Sequence, residues 1–229
     1  GCTVSEDGFC GSREPSSYRA VWGNARTRDA IVGEGIKTES IEVSKRAGAR
    51  KDMVGTTVYT VGHSTQSLEE FVRLLRAHGV RRVVDIRTVP RSRHNPQFNR
   101  ETLRRALNNR RLHYRHLKGL GGLRHARAGS PNAGWRNASF RGFADYMQTE
   151  EFEAALGQLM ELAEEEPTAI MCAEAVPWRC HRSLVADALI VRGVAVRHLH
   201  SPTKAAPHTL TPFARVRGER ITYPAEAEG

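Results

Sequence analysis

The 229-residue sequence has few of the features that mark secreted, membrane or metal-cluster proteins. Its four cysteines form no CxxC pair, are too few for a disulfide scaffold and give no hint of a structural zinc site. No run approaches the roughly 18 apolar residues of a membrane-spanning helix, and no apolar segment suggests a secretory signal. With 39% hydrophobic and 26% charged residues, we expect a soluble globular protein in the cytoplasm.

Acidic residues are nearly absent from one long segment. The whole chain has 35 Lys and Arg against 25 Asp and Glu, a net charge of +10. From Arg81 to Arg141, hereafter the basic segment, sixteen Lys and Arg face only Asp85 and Glu101, a net charge of +14. This concentration favours an anionic partner, a phosphorylated small molecule or a nucleic acid, and the alternative is an ordinary solvated surface rich in arginine.

Three regions are predicted along the chain. Residues 1–52 show no persistent hydrophobic period, and Met53 stands directly before the first convincing strand. We therefore predict a disordered or non-native N-terminal extension over 1–52. A single α/β domain is expected over 53–210, with a C-terminal tail over 211–229.

Short apolar strands alternate with helical patterns in the predicted domain. A capping box, Ser67-Leu-Glu-Glu70, begins a helix that Gly79 ends. Strands are predicted over 57–61, 80–86, 112–117, 169–172 and 194–199, further helices over 100–109, 140–147, 150–165 and 183–192, and a loop over 118–139. The fold class is therefore α/β, a three-layer, Rossmann-like arrangement of a mostly parallel sheet with helices on both faces. A loop as long as 118–139 is usually functional or disordered.

Ligands of such sheets bind at the carboxyl ends of the strands, which directs attention to the loops after Val61, Ile86, Cys172 and Leu199. His63 and Ser64 follow the first strand and precede a helix N-terminus, a position that suits an anion. A capping or packing role for His63 is the alternative.

The second strand ends in charged residues. Alternation places Asp85 and Arg87 on the same face, where they can form an ion pair or flank one ligand. Arg91 and Arg93 follow in a loop beyond a proline and have no acid nearby. Because a guanidinium can donate two parallel hydrogen bonds, we expect these arginines to bind phosphate.

The densest group of reactive side chains lies in residues 172–183, between an apolar strand and a helix. Cys180 and His181 fall at the helix N-terminus beside Arg179 and Arg182, a setting that lowers the pKa of a thiol and permits a nucleophilic thiolate. A metal site of Cys172, Glu174, Cys180 and His181 is a second interpretation, although the spacing matches no zinc pattern. In a third, Cys172 is a buried core thiol and Cys180 a small residue at the helix start.

Four groups of motifs together resemble one family. They are Thr60-Val-Gly-His-Ser64; Val84-Asp-Ile-Arg87 with Pro90-Arg-Ser92; His113-Tyr114 followed by Leu120-Gly-Gly122; and Cys172-Ala-Glu174 with Cys180-His-Arg182. In this order, from about residue 58 to 201, they are similar to the bacterial domain-of-unknown-function family numbered 488. The resemblance implies an α/β fold and a shared site formed by the strand-end residues, and it implies no particular reaction.

The leading functional hypothesis is an enzyme that acts on a phosphate-containing substrate, a nucleotide or a nucleic acid. Glu174 or His63 would act as general acid or base. The predicted catalytic residues are Glu174, His63, Cys180, His181 and Asp85, and the predicted phosphate- or substrate-binding residues are Ser64, Arg87, Arg91, Ser92, Tyr114 and Arg182. No metal ligand is assigned, the cofactor is left open, and no membrane partner is expected.

Two alternatives remain open at this point. One is a non-catalytic nucleic-acid-binding module that uses the basic segment, with Trp135 and Phe140 as stacking surfaces for unpaired bases. The other is a metal-dependent or redox-active protein that uses Cys172, Cys180 and His181.

Overall fold

Strands and helices alternate along the described chain, as the sequence predicts. The structure is a computed structural model that describes residues 55–225, so the predicted extension over 1–52 lies outside the described residues. The α-helices and strands, in chain order, are β1 (Thr57–Gly62), α1 (Leu68–Ala77), β2 (Arg82–Asp85), α2 (Arg100–Asn108), β3 (His113–His116), α3 (Ala138–Tyr146), α4 (Glu150–Glu165), β4 (Thr168–Cys172), α5 (Arg182–Val191), β5 (Ala195–Ser201), β6 (Lys204–Pro207), β7 (Arg215–Arg217) and β8 (Arg220–Thr222).

Six of these strands form one sheet in the order β3-β2-β4-β1-β5-β6. All neighbours pair in parallel except β6, which is antiparallel to β5. At the carboxyl ends, Gly62 of β1 pairs with Cys172 of β4, and Asp85 of β2 pairs with Met171. Because β4 lies between β1 and β2, the residues that follow these three strands meet at one edge of the sheet.

Helices cover both faces of the sheet, which confirms the three-layer α/β prediction. One core contains Leu75 of α1, Leu103 of α2 and Val83 of β2. The other contains Phe143 of α3, further side chains of α4 and α5, and Val84 of β2. Val83 and Val84 belong to different cores because successive residues of a strand point to opposite faces. Within residues 55–225, no helix has the length and apolar character needed to cross a membrane.

Two helix starts show how local sequence positions the site. At α1 the Ser67 hydroxyl accepts a hydrogen bond from the Glu70 N–H at 3.2 Å, and the Glu70 carboxylate accepts one from the Ser67 N–H at 2.9 Å. This is the predicted capping box. At α2 the side chain of Asn99 instead accepts the N–H of Ser92 at 2.7 Å, which ties the loop after β2 to the start of α2.

The packed domain extends past residue 210, where the sequence predicted a tail to begin. Strands β7 and β8 form an antiparallel hairpin, and Tyr223 beyond it is fully buried. The Tyr223 hydroxyl donates to Asp187 at 2.8 Å, and the Tyr223 carbonyl accepts the N–H of Gly134 at 2.9 Å. Burial of this aromatic side chain attaches the described part of the segment to the domain.

Candidate functional site

A cavity of about 510 Å³ lies where the loops after β1, β2 and β4 meet. Many of the predicted site residues line it, but Ser64, Asp85, Tyr114 and Arg182 do not. The loop after Leu199 contributes nothing to this lining. The predicted residues in the cavity wall are His63, Arg87, Arg91, Ser92, Glu174, Cys180 and His181, together with Cys172.

Part of the cavity wall was missed by sequence reasoning and comes from the long loop between β3 and α3. Leu123 lies in this loop, and Ser139 and Phe140 follow it in the first turn of α3. Asp145 holds the loop in place, because its carboxylate accepts hydrogen bonds from the Arg127 N–H and the Asn132 side chain, both at 2.8 Å. The length of the loop was the available signal. The remaining missed lining residues are Thr88, Val89, Gly122, Asn137, Ala173 and Arg179.

Arg87 is held by a buried network behind the cavity. Asp85, fully buried, accepts hydrogen bonds from Arg87 Nε at 2.9 Å and Nη2 at 2.6 Å, and a third from the Tyr114 hydroxyl at 2.7 Å. Nη2 also donates to the Phe98 carbonyl, and Nη1 donates to His63 Nε2 at 3.2 Å. Of the five N–H bonds of the guanidinium, one on Nη1 has no partner among the described residues. Asp85 and Tyr114 therefore orient Arg87, which can offer this N–H to a ligand.

His63 is buried with both ring nitrogens engaged. Nδ1–H donates to the Ser64 carbonyl at 2.9 Å, and Nε2 accepts the hydrogen bond from Arg87. The ring stacks on Phe98 with centroids 4.1 Å apart. Burial lowers the pKa of His63 to about 4, so the ring is neutral near pH 7. In this arrangement His63 supports Arg87 and has no free nitrogen to accept a proton from a substrate.

Two thiols and an imidazole meet between the end of β4 and the start of α5. Their ligand atoms, one each from Cys172, Cys180 and His181, all lie within 4.8 Å of one another. Cys180 Sγ is 3.6 Å from His181 Nδ1, while His181 Nε2 donates to the Ile86 carbonyl at 3.2 Å. Nδ1 is therefore left as an acceptor facing the thiol. The hydrogen bond from Cys172, aided by the nearby Arg182, lowers the pKa of Cys180 to about 6, and the same bond raises the pKa of Cys172.

Glu174 presents a free carboxylate on a well-anchored turn. Its side chain is exposed, accepts only the N–H of Val176 at 3.3 Å and has no basic partner within residues 55–225. Arg182 is buried beneath the turn and donates to the carbonyls of Glu174 and Ala175. A Cβ at Gly62 would overlap the Glu174 carbonyl oxygen, so glycine permits the close approach of β1. Arg182 thus positions Glu174 and does not reach the cavity.

Two exposed guanidinium groups line the cavity without an acidic partner among the described residues. Arg91 lies in the loop after β2, and Arg179 lies in the short 3₁₀ turn Pro177–Arg179. Arg104, by contrast, forms an ion pair with Glu101 at 3.0 Å. Unpaired guanidinium groups beside a cavity favour an anionic ligand.

Fold and site together define an α/β protein whose thiol-, carboxylate- and arginine-lined cavity lies at the carboxyl ends of a mostly parallel sheet. The chain belongs to the family described as domain of unknown function DUF488, whose model matches residues 67–189. This confirms the resemblance that the motifs indicate. The match includes Arg87, Glu174 and Cys180 and begins after His63. No curated protein and no solved structure gave a significant match to the chain.

A second polar network, beside β5, escaped sequence reasoning because its members lie far apart in the chain. The Thr60 hydroxyl bonds His198 Nδ1 at 2.7 Å, and His198 Nε2 lies 3.0 Å from His208 Nδ1. His208 Nε2 in turn donates to Asp187 at 2.8 Å. Burial, reinforced by the neighbouring His208, lowers the pKa of His198 to about 4.

Because two histidines are buried in their neutral form, we expect the folded state to become less stable as the pH is lowered. The folded-state pKa values of His63 and His198, both about 4, lie below the unfolded value of about 6.5. Above about pH 6.5 both rings are neutral in the folded and in the unfolded state. As the pH falls from about 6.5 toward 4, the unfolded chain takes up protons that the folded chain does not, so the free energy of unfolding decreases. Urea unfolding at about pH 7 and about pH 5 measures this loss.

Two variants control the pH experiment. His198→Gln should lose less stability between the two pH values than the wild type, because one of the two linked groups is gone. His125→Gln removes an exposed histidine and should lose as much stability between the two pH values as the wild type does. Equal free energies of unfolding for the wild type at both pH values would contradict the assignment of neutral, buried histidines.

Proposed function

We propose that this protein is an enzyme that acts on a phosphate-containing substrate, a nucleotide or a nucleic acid, in the cavity at the carboxyl ends of β1, β2 and β4. One observation carries the proposal: the same cavity is lined by a thiol–imidazole group, an unpaired carboxylate and guanidinium groups without acidic partners in the described chain. Arginines alone would suit a binding protein. Reactive groups placed beside them suit chemistry on the bound anion.

The basic side of the cavity would bind the phosphate. Arg91 and Arg179 offer complete guanidinium forks, and Arg87 offers the one N–H left by its buried network. Val89, 59% exposed, and Leu123, 71% exposed, line the same cavity and supply apolar surface. A ligand with a base or sugar as well as a phosphate can use both kinds of surface, which favours a nucleotide unit over inorganic phosphate.

Glu174 is the residue best placed to move a proton. It is exposed to the cavity, and its carboxylate has no basic partner in the described chain. It can therefore accept a proton from an attacking group and return it to a leaving group. His63, the other candidate from the sequence, has both ring nitrogens occupied and supports Arg87 instead.

The alternative is a non-catalytic nucleic-acid-binding module built on the basic segment. Trp135, one of its predicted stacking surfaces, packs against Phe140, Phe213 and Tyr223, with centroids 4.8, 5.0 and 5.5 Å away. Among residues 55–225 the exposed large aromatic side chain is instead Trp178, with 69% of its surface accessible. On this alternative, affinity would be spread over the whole basic segment and would not depend on the cavity.

Binding of short oligonucleotides separates the two interpretations. We expect wild-type affinity to fall with salt, and we expect the double variant Arg91→Ala/Arg179→Ala to weaken binding at every salt concentration. If each arginine contacts one phosphate, the slope of log affinity against log salt should become shallower by about 1.4 for single strands and about 1.8 for duplexes. Fluorescence anisotropy of labelled strands across a salt series measures both quantities.

A matched double variant supplies the control. Arg100 and Arg104 belong to the basic segment, are exposed and lie 3.8 and 3.0 Å from Glu101, away from the cavity. Arg100→Ala/Arg104→Ala should leave both affinity and slope close to wild type. An equal loss in the two double variants would place binding on the basic segment as a whole and favour the module.

A further inference from the structure

We infer that Cys172, Cys180 and His181 bind one Zn²⁺ ion whose fourth coordination position opens into the cavity. The sequence offers these residues only as one of several interpretations, because the separation of the two cysteines matches none of the usual zinc-ligand spacings. The fold brings the end of β4 against the start of α5 and so assembles the three ligands. Zinc binding stands on this geometry alone, whereas the role of the metal in catalysis rests on the proposed function.

The distances suit a tetrahedral ion. With Zn–S near 2.3 Å and Zn–N near 2.0–2.1 Å, neighbouring ligand atoms of a tetrahedral site lie roughly 3.5–3.8 Å apart. Cys180 Sγ and His181 Nδ1 are 3.6 Å apart, and all three ligand atoms lie within 4.8 Å of one another. Side-chain rotations that move the sulfur atoms by about 1 Å or less would bring all three ligand atoms to tetrahedral spacing.

The imidazole is oriented as a metal-bound histidine usually is. His181 donates Nε2–H to the Ile86 carbonyl, which leaves the lone pair on Nδ1 directed at the thiols. The Phe143 ring packs against the imidazole in a T-shaped arrangement with centroids 5.2 Å apart. A Cβ at Gly122 would collide with the ring, so the loop can close on His181 only with glycine there. The ring orientation is thus set by packing before any metal binds.

The types of ligand favour zinc over other metal ions, and their number favours a catalytic site over a structural one. Two thiolates and an imidazole are soft and intermediate ligands that suit Zn²⁺ and not Mg²⁺ or Ca²⁺. Three protein ligands leave a fourth position for water, as in catalytic zinc sites. All three ligands line the cavity, so this position is open to a substrate.

Glu174 lines the same cavity and is not part of the three-ligand cluster. It can take one proton from the zinc-bound water, which leaves a hydroxide on the metal. The hydroxide oxygen would form the new bond to the electrophilic atom of the substrate, the bond to the leaving group would break, and the proton on Glu174 would pass to that group. The sum is hydrolysis, with no change in oxidation state.

Metal titration of the full chain tests the inference. Reduced protein, stripped with a chelator, is titrated with Zn²⁺ against a chromophoric competitor, and with Co²⁺ to record the absorption of the complex. We expect one equivalent of metal and a sulfur-to-cobalt charge-transfer band. Cys172→Ser and His181→Gln should each weaken zinc binding by more than about 100-fold, because loss of a hydrogen bond to a ligand already costs 10–100-fold.

Two control variants keep the test decisive even if a ligand variant folds poorly. Cys2→Ser/Cys10→Ser removes the other cysteines of the chain, and His125→Gln removes an exposed histidine outside the cluster. Both variants should still bind one equivalent of metal tightly and show the charge-transfer band with Co²⁺. Absence of tight zinc in the wild type, or its loss in the Cys2→Ser/Cys10→Ser variant, would overturn the site.

The failure of the metal site and the failure of the proposed function give different results. Substrate turnover by metal-free protein would overturn the role of zinc and leave the enzyme in place. Tight zinc in a protein that changes no nucleotide or oligonucleotide would leave the metal site standing and overturn the enzyme.

Discussion

Replacing Asp85 with alanine is expected to lower the free energy of unfolding by about 3–5 kcal/mol. The Asp85 carboxylate is fully buried and is the ion-pair partner of Arg87, which is itself only 6% exposed. Its removal leaves a buried guanidinium without a counter-charge and deprives the Tyr114 hydroxyl of its acceptor. Urea unfolding at neutral pH, followed by circular dichroism, measures the change.

The control for Asp85 is an ion pair of the same type on the surface. Glu101→Ala removes the exposed partner of Arg104 and should cost less than about 1 kcal/mol. The double variant Asp85→Ala/Arg87→Met should recover part of the loss, because no unpaired charge remains buried. A cost for Asp85→Ala as small as that for Glu101→Ala would mean that the Arg87 network contributes little to the folded state.

Glu174→Gln is expected to reduce turnover by about 10²–10⁴-fold while leaving the fold intact. The side chain is exposed, and its one hydrogen bond, from the Val176 N–H, can be kept by the glutamine oxygen. The variant should bind an anionic substrate at least as tightly as the wild type, because a negative charge is lost from the cavity. Rates of substrate conversion, oligonucleotide affinity and thermal unfolding of the two proteins give the comparison.

Glu161→Gln removes an exposed carboxylate from α4 outside the cavity and serves as the matched control. It should have wild-type turnover, affinity and stability. Full activity in Glu174→Gln would remove this residue from the mechanism and leave the thiol–imidazole group as the reactive centre.

Much of the fold could be predicted because its signals are local. The capping box from Ser67 to Glu70 marks a helix start through hydrogen bonds within four residues, and the apolar runs mark strands through burial on both faces. The general location of the site was also predictable. Carboxyl ends of parallel strands lie at one edge of the sheet, and His63, Arg87 and Glu174 all lie at that edge.

The division of roles among the site residues could not be predicted, because it depends on contacts between distant parts of the chain. Alternation showed that Asp85 and Arg87 share a face, but not that Tyr114 and His63 would enclose the pair. Likewise nothing in the spacing showed that Cys172 would meet Cys180. These contacts arise because β4 lies between β1 and β2, a strand order that local patterns do not encode.

Packing of the loop and of the C-terminal segment was unpredictable for the same reason. Because Trp135 lies among arginines in the sequence, it is predicted to be an exposed stacking surface for bases. In the structure it packs against Tyr223, nearly ninety positions away, and both side chains become part of one apolar cluster. The tertiary contact decides between an exposed aromatic ring and a buried one.

Mass analysis of recovered substrates tests the central claim most directly. Mononucleotides and short single- and double-stranded oligonucleotides would be incubated with wild-type protein and with Glu174→Gln, then recovered and examined by mass spectrometry. An enzyme with its site in this cavity predicts a changed mass for at least one of these substrates with the wild type and little or none with the variant. Salt-sensitive binding of oligonucleotides to both proteins, with every mass unchanged, would contradict the enzyme and leave the nucleic-acid-binding module.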